Sequence, residues 1–87
     1  MLKLFVLDVE EFAGLIRCAR ANAACRVKDT SRGYTVIESD GPLTFRRRDI
    51  GVSPAVWYGA FTGGLRGRIA AFGRDEVRIE PFDPVET

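Results

Sequence analysis

Residues 2–7, Leu-Lys-Leu-Phe-Val-Leu, put Leu2, Leu4 and Val6 on one face of an extended chain and Lys3, Phe5 and Leu7 on the other. The run alternates little in polarity but is rich in strand formers, and it predicts a first strand covered on both sides over part of its length. The period then changes. Phe12, Leu15, Ile16, Ala19 and Ala23 recur at helical spacing, so an amphipathic helix follows and ends near residues 22–24. Asp8 stands at the expected N-cap, and Glu11 three residues later at the position of a capping-box carboxylate. Glu10 and Glu11 also place negative charge at the positive end of the helix dipole. Arg17 and Arg20 fall off the apolar stripe and read as a solvated face.

Alternation returns after the helix. Residues 25–28 read as a short strand with Cys25 and Val27 inward, and residues 29–33, Asp-Thr-Ser-Arg-Gly, as a turn cluster. Tyr34-Thr35-Val36-Ile37-Glu38 is a strand by composition. The turn signal Ser39-Asp40-Gly41-Pro42 leads to a strand over residues 43–47, with Leu43 and Phe45 on one face and Thr44 and Arg46 on the other. The expected order of the first half is strand, helix and a three-strand meander.

Residues 53–69 hold the only Trp, one of the two Tyr and four of the nine Gly. Ser53 as N-cap and Pro54 at the first helical position form a start signal. A short helix over residues 54–62 would put Trp57, Ala60 and Phe61 on neighbouring faces. Gly63 and Gly64 would end it, since glycine takes the left-handed conformation past a helix end. Phe61, Leu65, Ile69 and Phe72 also fit helical spacing and admit one longer helix over residues 54–72. Gly63, Gly64 and Gly67 oppose that helix by up to about 1 kcal/mol each relative to Ala. The preferred remainder is a hairpin, with strands over residues 68–72 and 76–80, Val77 and Ile79 inward, and Arg78 and Glu80 outward. Pro81 and Pro84 end regular structure, so residues 81–87 are expected to form a loose tail. The predicted class is a single small α+β domain, with a loosely similar second half of helix and strands.

At 87 residues, one domain is the natural count. Such a chain buries only about 60–65% of the surface its unfolded form exposes. Thirteen basic and 12 acidic residues leave a net charge of +1, less basic than a general nucleic-acid binder. No window reaches the roughly 18 apolar residues of a spanning helix. The run over residues 2–7 is shorter than the apolar region of a signal sequence. The expected location is cytoplasmic, with both cysteines reduced.

The chain has no His. A Ser–His–Asp triad, a Cys–His nucleophile and an imidazole metal site are thereby excluded within it. Cys18 and Cys25, seven apart, match no zinc-ribbon spacing and read as small half-buried hydrophobes. Asp8, Glu10, Glu11, Asp75 and Glu76 sit at caps and turns, without the spacing of an acid/base pair or a cation loop. The expectation is a chain with no catalytic residue, no cofactor and no metal.

Three constellations remain. Arg46-Arg47-Arg48 is the densest charge run, and in strand geometry Arg46 and Arg48 would share a face that Arg47 does not. Its readings are a phosphate or acidic-partner contact and a solvated strand end balanced by Asp49. Gly63-Gly64-Leu65-Arg66-Gly67-Arg68 resembles an anion-binding loop but lacks the Walker Lys-Ser/Thr pair and follows a helix instead of preceding one. The opposing reading is a helix stop followed by close approach to a neighbouring element. Trp57 and Tyr58 could fill the core, anchor an interface or stack bases. Arg46, Arg48, Trp57, Tyr58, Phe61, Gly63, Gly64, Arg66 and Arg68 form the candidate interaction surface.

The order of these features resembles a known family. Gly33-Tyr34-Thr35-Val36-Ile37-Glu38, a turn, Leu43-Thr44-Phe45-Arg46-Arg47-Arg48-Asp49, an aromatic-led helix ending in Gly63-Gly64, and Val77-Arg78-Ile79-Glu80 are similar to the effector (coupling) proteins of bacterial multicomponent di-iron monooxygenases. These are the regulatory proteins of the phenol hydroxylase and methane monooxygenase type. The resemblance spans roughly residues 4–80. It implies a protein without cofactor or catalysis that docks on a hydroxylase and adjusts reactivity at its di-iron site. The strand over residues 43–48 and the helix over residues 57–64 would then lie on or near the docking surface. The chain departs from the family in its near-neutral charge and in the longer, more basic segment carrying Arg66, Arg68 and Arg74.

The leading expectation is a protein-interaction module of this effector type. Its rivals are a small nucleic-acid-binding domain using Arg46–Arg48, Arg66 and Arg68 with Trp57 and Tyr58, and a self-associating subunit with a small-molecule site between copies.

Overall fold

The strand-forming run at the N-terminus forms β1 (Leu2–Leu7), with Leu2, Leu4 and Val6 buried. In the computed structural model, which describes residues 1–82, a 3-10 turn over Glu10–Phe12 leads into α1 (Ala13–Ala21). Next come β2 (Arg26–Asp29), β3 (Tyr34–Ser39), β4 (Leu43–Arg46) and a single helical turn, α2 (Arg47–Ile50). α3 (Pro54–Ala60), β5 (Leu65–Arg66), β6 (Arg68–Phe72) and β7 (Glu76–Glu80) complete the order. The class is α+β. Residues 83–87 of the expected tail, Pro84 among them, lie outside the described residues.

Among the described residues, seven strands divide into two antiparallel sheets, ordered β2-β3-β1-β5 and β4-β7-β6. The two halves of the chain share one topology. In β1–α1–β2–β3 the last strand pairs with the first, and the strand before it takes the last strand's other edge. β4–α3–β6–β7 repeats that arrangement. The loose similarity seen in sequence is thus a repeat of strand order. β5 joins the halves by pairing with β1, Lys3 opposite Arg66 and Leu4 opposite Leu65. Gly67 then carries the chain into the second sheet. A Cβ there would lie 2.6 Å from Leu2 Cδ1 and 2.7 Å from the Glu80 carbonyl oxygen, so the crossing point admits only glycine.

One core serves both halves. Leu2, Leu4, Leu15, Ile37, Trp57, Phe61, Val77 and Ile79 are all fully buried. The indole N–H of Trp57 donates to the Gly73 carbonyl at 2.9 Å, which satisfies the polar atom of the largest buried side chain. Phe61 and Phe72 meet the Trp57 ring edge-on at centroid distances of 5.0 and 5.9 Å. Gly14 lets α1 touch α2, for a Cβ there would stand 2.0 Å from the Ile50 carbonyl oxygen.

Several expectations are corrected. The meander breaks after β3, because β1 and β2 already occupy both edges of that strand. β4 instead pairs with β7, setting Leu43 against Ile79 and Phe45 against Val77. Asp8 caps no helix. Its N–H donates to the Gly33 carbonyl at 2.9 Å, which holds residue 8 at the β2–β3 turn, and α1 begins only after the 3-10 turn, without a side-chain cap. Ala23 is exposed beyond the end of α1. Arg47 and Arg48 lie in α2 and not in a strand. α3 has the expected Ser53 cap, whose Oγ accepts from the Val56 N–H at 3.4 Å, but it ends at Ala60. The longer helix over residues 54–72 is absent, and the hairpin forms instead. Gly63 and Gly64 do not adopt positive φ; among the described residues only Gly33 and Gly51 do. The Phe5 N–H donates to the Gly64 carbonyl at 2.8 Å, and a Cβ on Gly64 would come within 3.1 Å of Phe5 Cβ. Close approach, not a left-handed cap, accounts for that glycine.

Candidate interaction surface

The nine residues proposed from sequence do not form one patch. Trp57 and Phe61 are fully buried. Tyr58 is 46% exposed, its ring 5.1 Å from that of Phe72. Arg46 pairs with Glu76 across β4 and β7 at 3.6 Å. Arg47 is the structural member of its triplet, donating to the Arg74 carbonyl and to Asp75 Oδ1 and so tying α2 to the β6–β7 turn. Arg48 is exposed at the mouth of a shallow cleft formed with Arg46, Asp75 and Glu76. Arg68 shares Glu80 with Arg78. Gly63, Gly64 and Arg66 lie together along the edge of the first sheet beside β1, apart from Arg46 and Arg48 and from the buried Trp57 and Phe61.

That edge borders a surface the sequence reading missed. Period two places Lys3, Phe5 and Leu7 of β1, Tyr34, Val36 and Glu38 of β3, Arg26 and Lys28 of β2, and Arg66 of β5 on the outer face of the first sheet. The signal was present in sequence as the second face of each strand. Neither face could be assigned outward without the sheet order.

One end of this face is electrostatic. Glu38 lies between β1 and β2 with only 7% of its side chain exposed, and Lys28, Lys3 and Arg26 approach its carboxylate at 3.3, 3.6 and 3.7 Å. Burial by itself would raise the Glu38 pKa, but the hydrogen bond and charge of Lys28 and the charges of Lys3 and Arg26 prevail, and the group is held below its ordinary value. Arg66 stands directly opposite Lys3 and has no ion-pair partner among the described residues. Like charges facing across a strand pair repel.

The other end is apolar. Phe5 and Tyr34 meet edge to face at 5.8 Å. With Leu7, Phe12, the bare backbone of Gly59, Gly63 and Gly64, and the core-facing Val6 and Ala60, they line a groove of about 480 Å³ that opens at the β1 edge of this face. The Tyr34 hydroxyl is the only side-chain polar group in its lining. Leu7 beside it is 59% exposed and Val9 42%.

The cysteines are half-buried thiols that donate to backbone carbonyls, Cys18 to Asp49 and Cys25 to Ala19. Burial raises the Cys25 pKa, which suppresses the thiolate. Among the described residues no helix is long and apolar enough to cross a membrane, and no group of three or more Cys, Asp or Glu is placed to hold a metal ion. Comparison with known protein families and with curated proteins finds no match to this chain.

Proposed function

We propose that this chain is a non-enzymatic interaction module, an accessory protein that docks on a larger enzyme in the manner of the monooxygenase effector proteins it resembles. The observation that carries the reading is the outer face of the first sheet. There, at the β1 edge, an apolar groove with three aromatic rings, Phe5, Phe12 and Tyr34, adjoins a cationic cluster, on a domain whose Trp is committed to the core. Apolar surface flanked by charge is the usual make-up of a protein contact.

The test is recovery of the partner by the tagged chain from an extract of its native cells. The expected result is a large multisubunit oxygenase whose turnover or product distribution changes when the purified chain is added back. Recovery of no large partner, or a bound enzyme whose rate does not respond, overturns the proposal.

A further inference from the structure

Resting on that docking reading, we infer that the outer face of the first sheet receives an extended acidic segment of a partner protein, with a carboxylate between Lys3 and Arg66 and an apolar side chain, two residues along, in the groove over Gly64. The electrostatic half of the inference starts from an imbalance. Lys3, Arg26, Lys28 and Arg66 share this face with Glu38, and Asp40 reaches only its rim, 3.5 Å from Arg26. Glu38 already serves three of the cations. Arg66 faces Lys3 with no carboxylate of its own among the described residues. An anion from outside would turn this repulsive cross-strand pair into a clamp.

The apolar half follows from register. Two residues along from the Lys3–Arg66 pair, Phe5 lies against Gly64, joined by the Phe5 N–H to Gly64 carbonyl bond of 2.8 Å. Two residues of strand span about 6.8 Å, the separation of an acid and an apolar side chain at positions i and i+2 of an extended segment. Gly64 can carry no side chain without crowding Phe5 Cβ, so the floor of the groove stays open. Phe5, Phe12 and Tyr34 would supply the walls.

A single-stranded nucleic acid fits this face less well. Its successive phosphates would meet the Glu38 carboxylate at the centre of the cations. The Phe5 and Tyr34 rings are inclined to each other by 62°, so they do not form one flat stacking platform.

The experiment is an NMR titration of the folded chain with the peptide Ser-Gly-Asp-Ser-Phe-Ser-Gly, alongside a Lys-for-Asp version, an Ala-for-Phe version and a short oligo-dT. The expected result is saturable shifts at the amides of Lys3, Phe5, Gly64 and Arg66 with the first peptide. Either peptide change, or Arg66→Glu in the protein, is expected to weaken binding at least fivefold. Arg66 is exposed, so its variant should fold, and circular dichroism checks that it does; Lys3→Gln is the second variant. Absence of saturable shifts, equal binding of the Lys-for-Asp peptide, or tighter and salt-dependent binding of oligo-dT each overturns the inference. Arg66→Glu and Lys3→Gln are also carried into the recovery experiment. If they still recover the large partner with unchanged affinity, this face is refuted while docking stands. If the unmodified chain recovers none, docking itself has failed.

Discussion

The outer face of the first sheet sets Lys3 opposite Arg66, crowds three cations around Glu38 and leaves Phe5 and Tyr34 beside an open groove. The outer face of the second sheet, built on the same strand order, sets Arg46 opposite Glu76 and Arg68 opposite Glu80, with Arg78 sharing Glu80, and has no aromatic ring. Its partners are satisfied from within. Four aromatics of the second half, Phe45, Trp57, Phe61 and Phe72, instead pack into the common core, while Tyr58 stays 46% exposed. Two copies of one topology have therefore divided the work. One packs its rings into the core and pairs its outer charges, and the other leaves a face whose charges and rings are incompletely matched. Identical strand order leaves the two faces with different side-chain pairing across the strands.

The largest expected effect tests the half that packs its rings into the core. Trp57→Ala removes the central ring and should cost about 3–5 kcal/mol, read as a lower urea midpoint. A loss under about 1 kcal/mol would mean that the second half is not the anchor. Gly14→Ala comes next. Its Cβ would meet the Ile50 backbone oxygen at 2.0 Å, so α1 and α2 must part, at a cost of about 3 kcal/mol in the same assay. Ser53→Ala, which removes the cap of α3, should cost about 1 kcal/mol.

Acidity addresses the open half. The folded-state pKa of Glu38 lies below its unfolded value, about 4.3 for a free Glu. Its contribution to stability is therefore fully present above about pH 4.3 and is lost as pH falls through the lower folded value. Urea midpoints taken from pH 6 to pH 3 should fall less steeply in Glu38→Gln than in the parent chain. Equal slopes would show that the three cations do not act through this carboxylate.

The smallest effects sharpen the contrast most directly. Arg46→Ala breaks an exposed cross-strand pair and should cost up to about 0.5 kcal/mol. Arg66→Ala removes a like-charge neighbour of Lys3 and should leave stability unchanged or raise it by up to about 0.5 kcal/mol. Paired urea curves at low ionic strength decide the sign. A stability loss in Arg66→Ala equal to that in Arg46→Ala would erase the distinction between the two faces.

Much of the fold was legible along the chain. The limits of β1, the start of α3 at Ser53-Pro54 and the final hairpin follow from period, caps and turn residues. Asp8 misled because a capping side chain and a strand-end residue look alike locally. The choice was made by the Gly33 carbonyl, 25 positions away in the chain. The candidate surface was legible only in fragments. Gly63, Gly64 and Arg66 were named from sequence, whereas Lys3, Phe5, Tyr34 and Glu38 were read as ordinary strand positions. Trp57 attracted attention as the only Trp, yet its bulk and its indole N–H find their best use in the core against Gly73.

Local physics, then, settled from sequence most of the strands and helices and which residues of each share a face, though not the helical turn Arg47–Ile50 or the short strand Leu65–Arg66, because backbone preference and side-chain period act within a few residues. Only the tertiary structure decided that β4 joins β7 and not β3, that Arg46 and Arg68 are matched by Glu76 and Glu80 while Arg66 faces Lys3, and that a groove opens over Gly64. Those outcomes depend on which strand edges are already filled and on how two sheets share one core. Both are set by contacts between residues far apart in the chain.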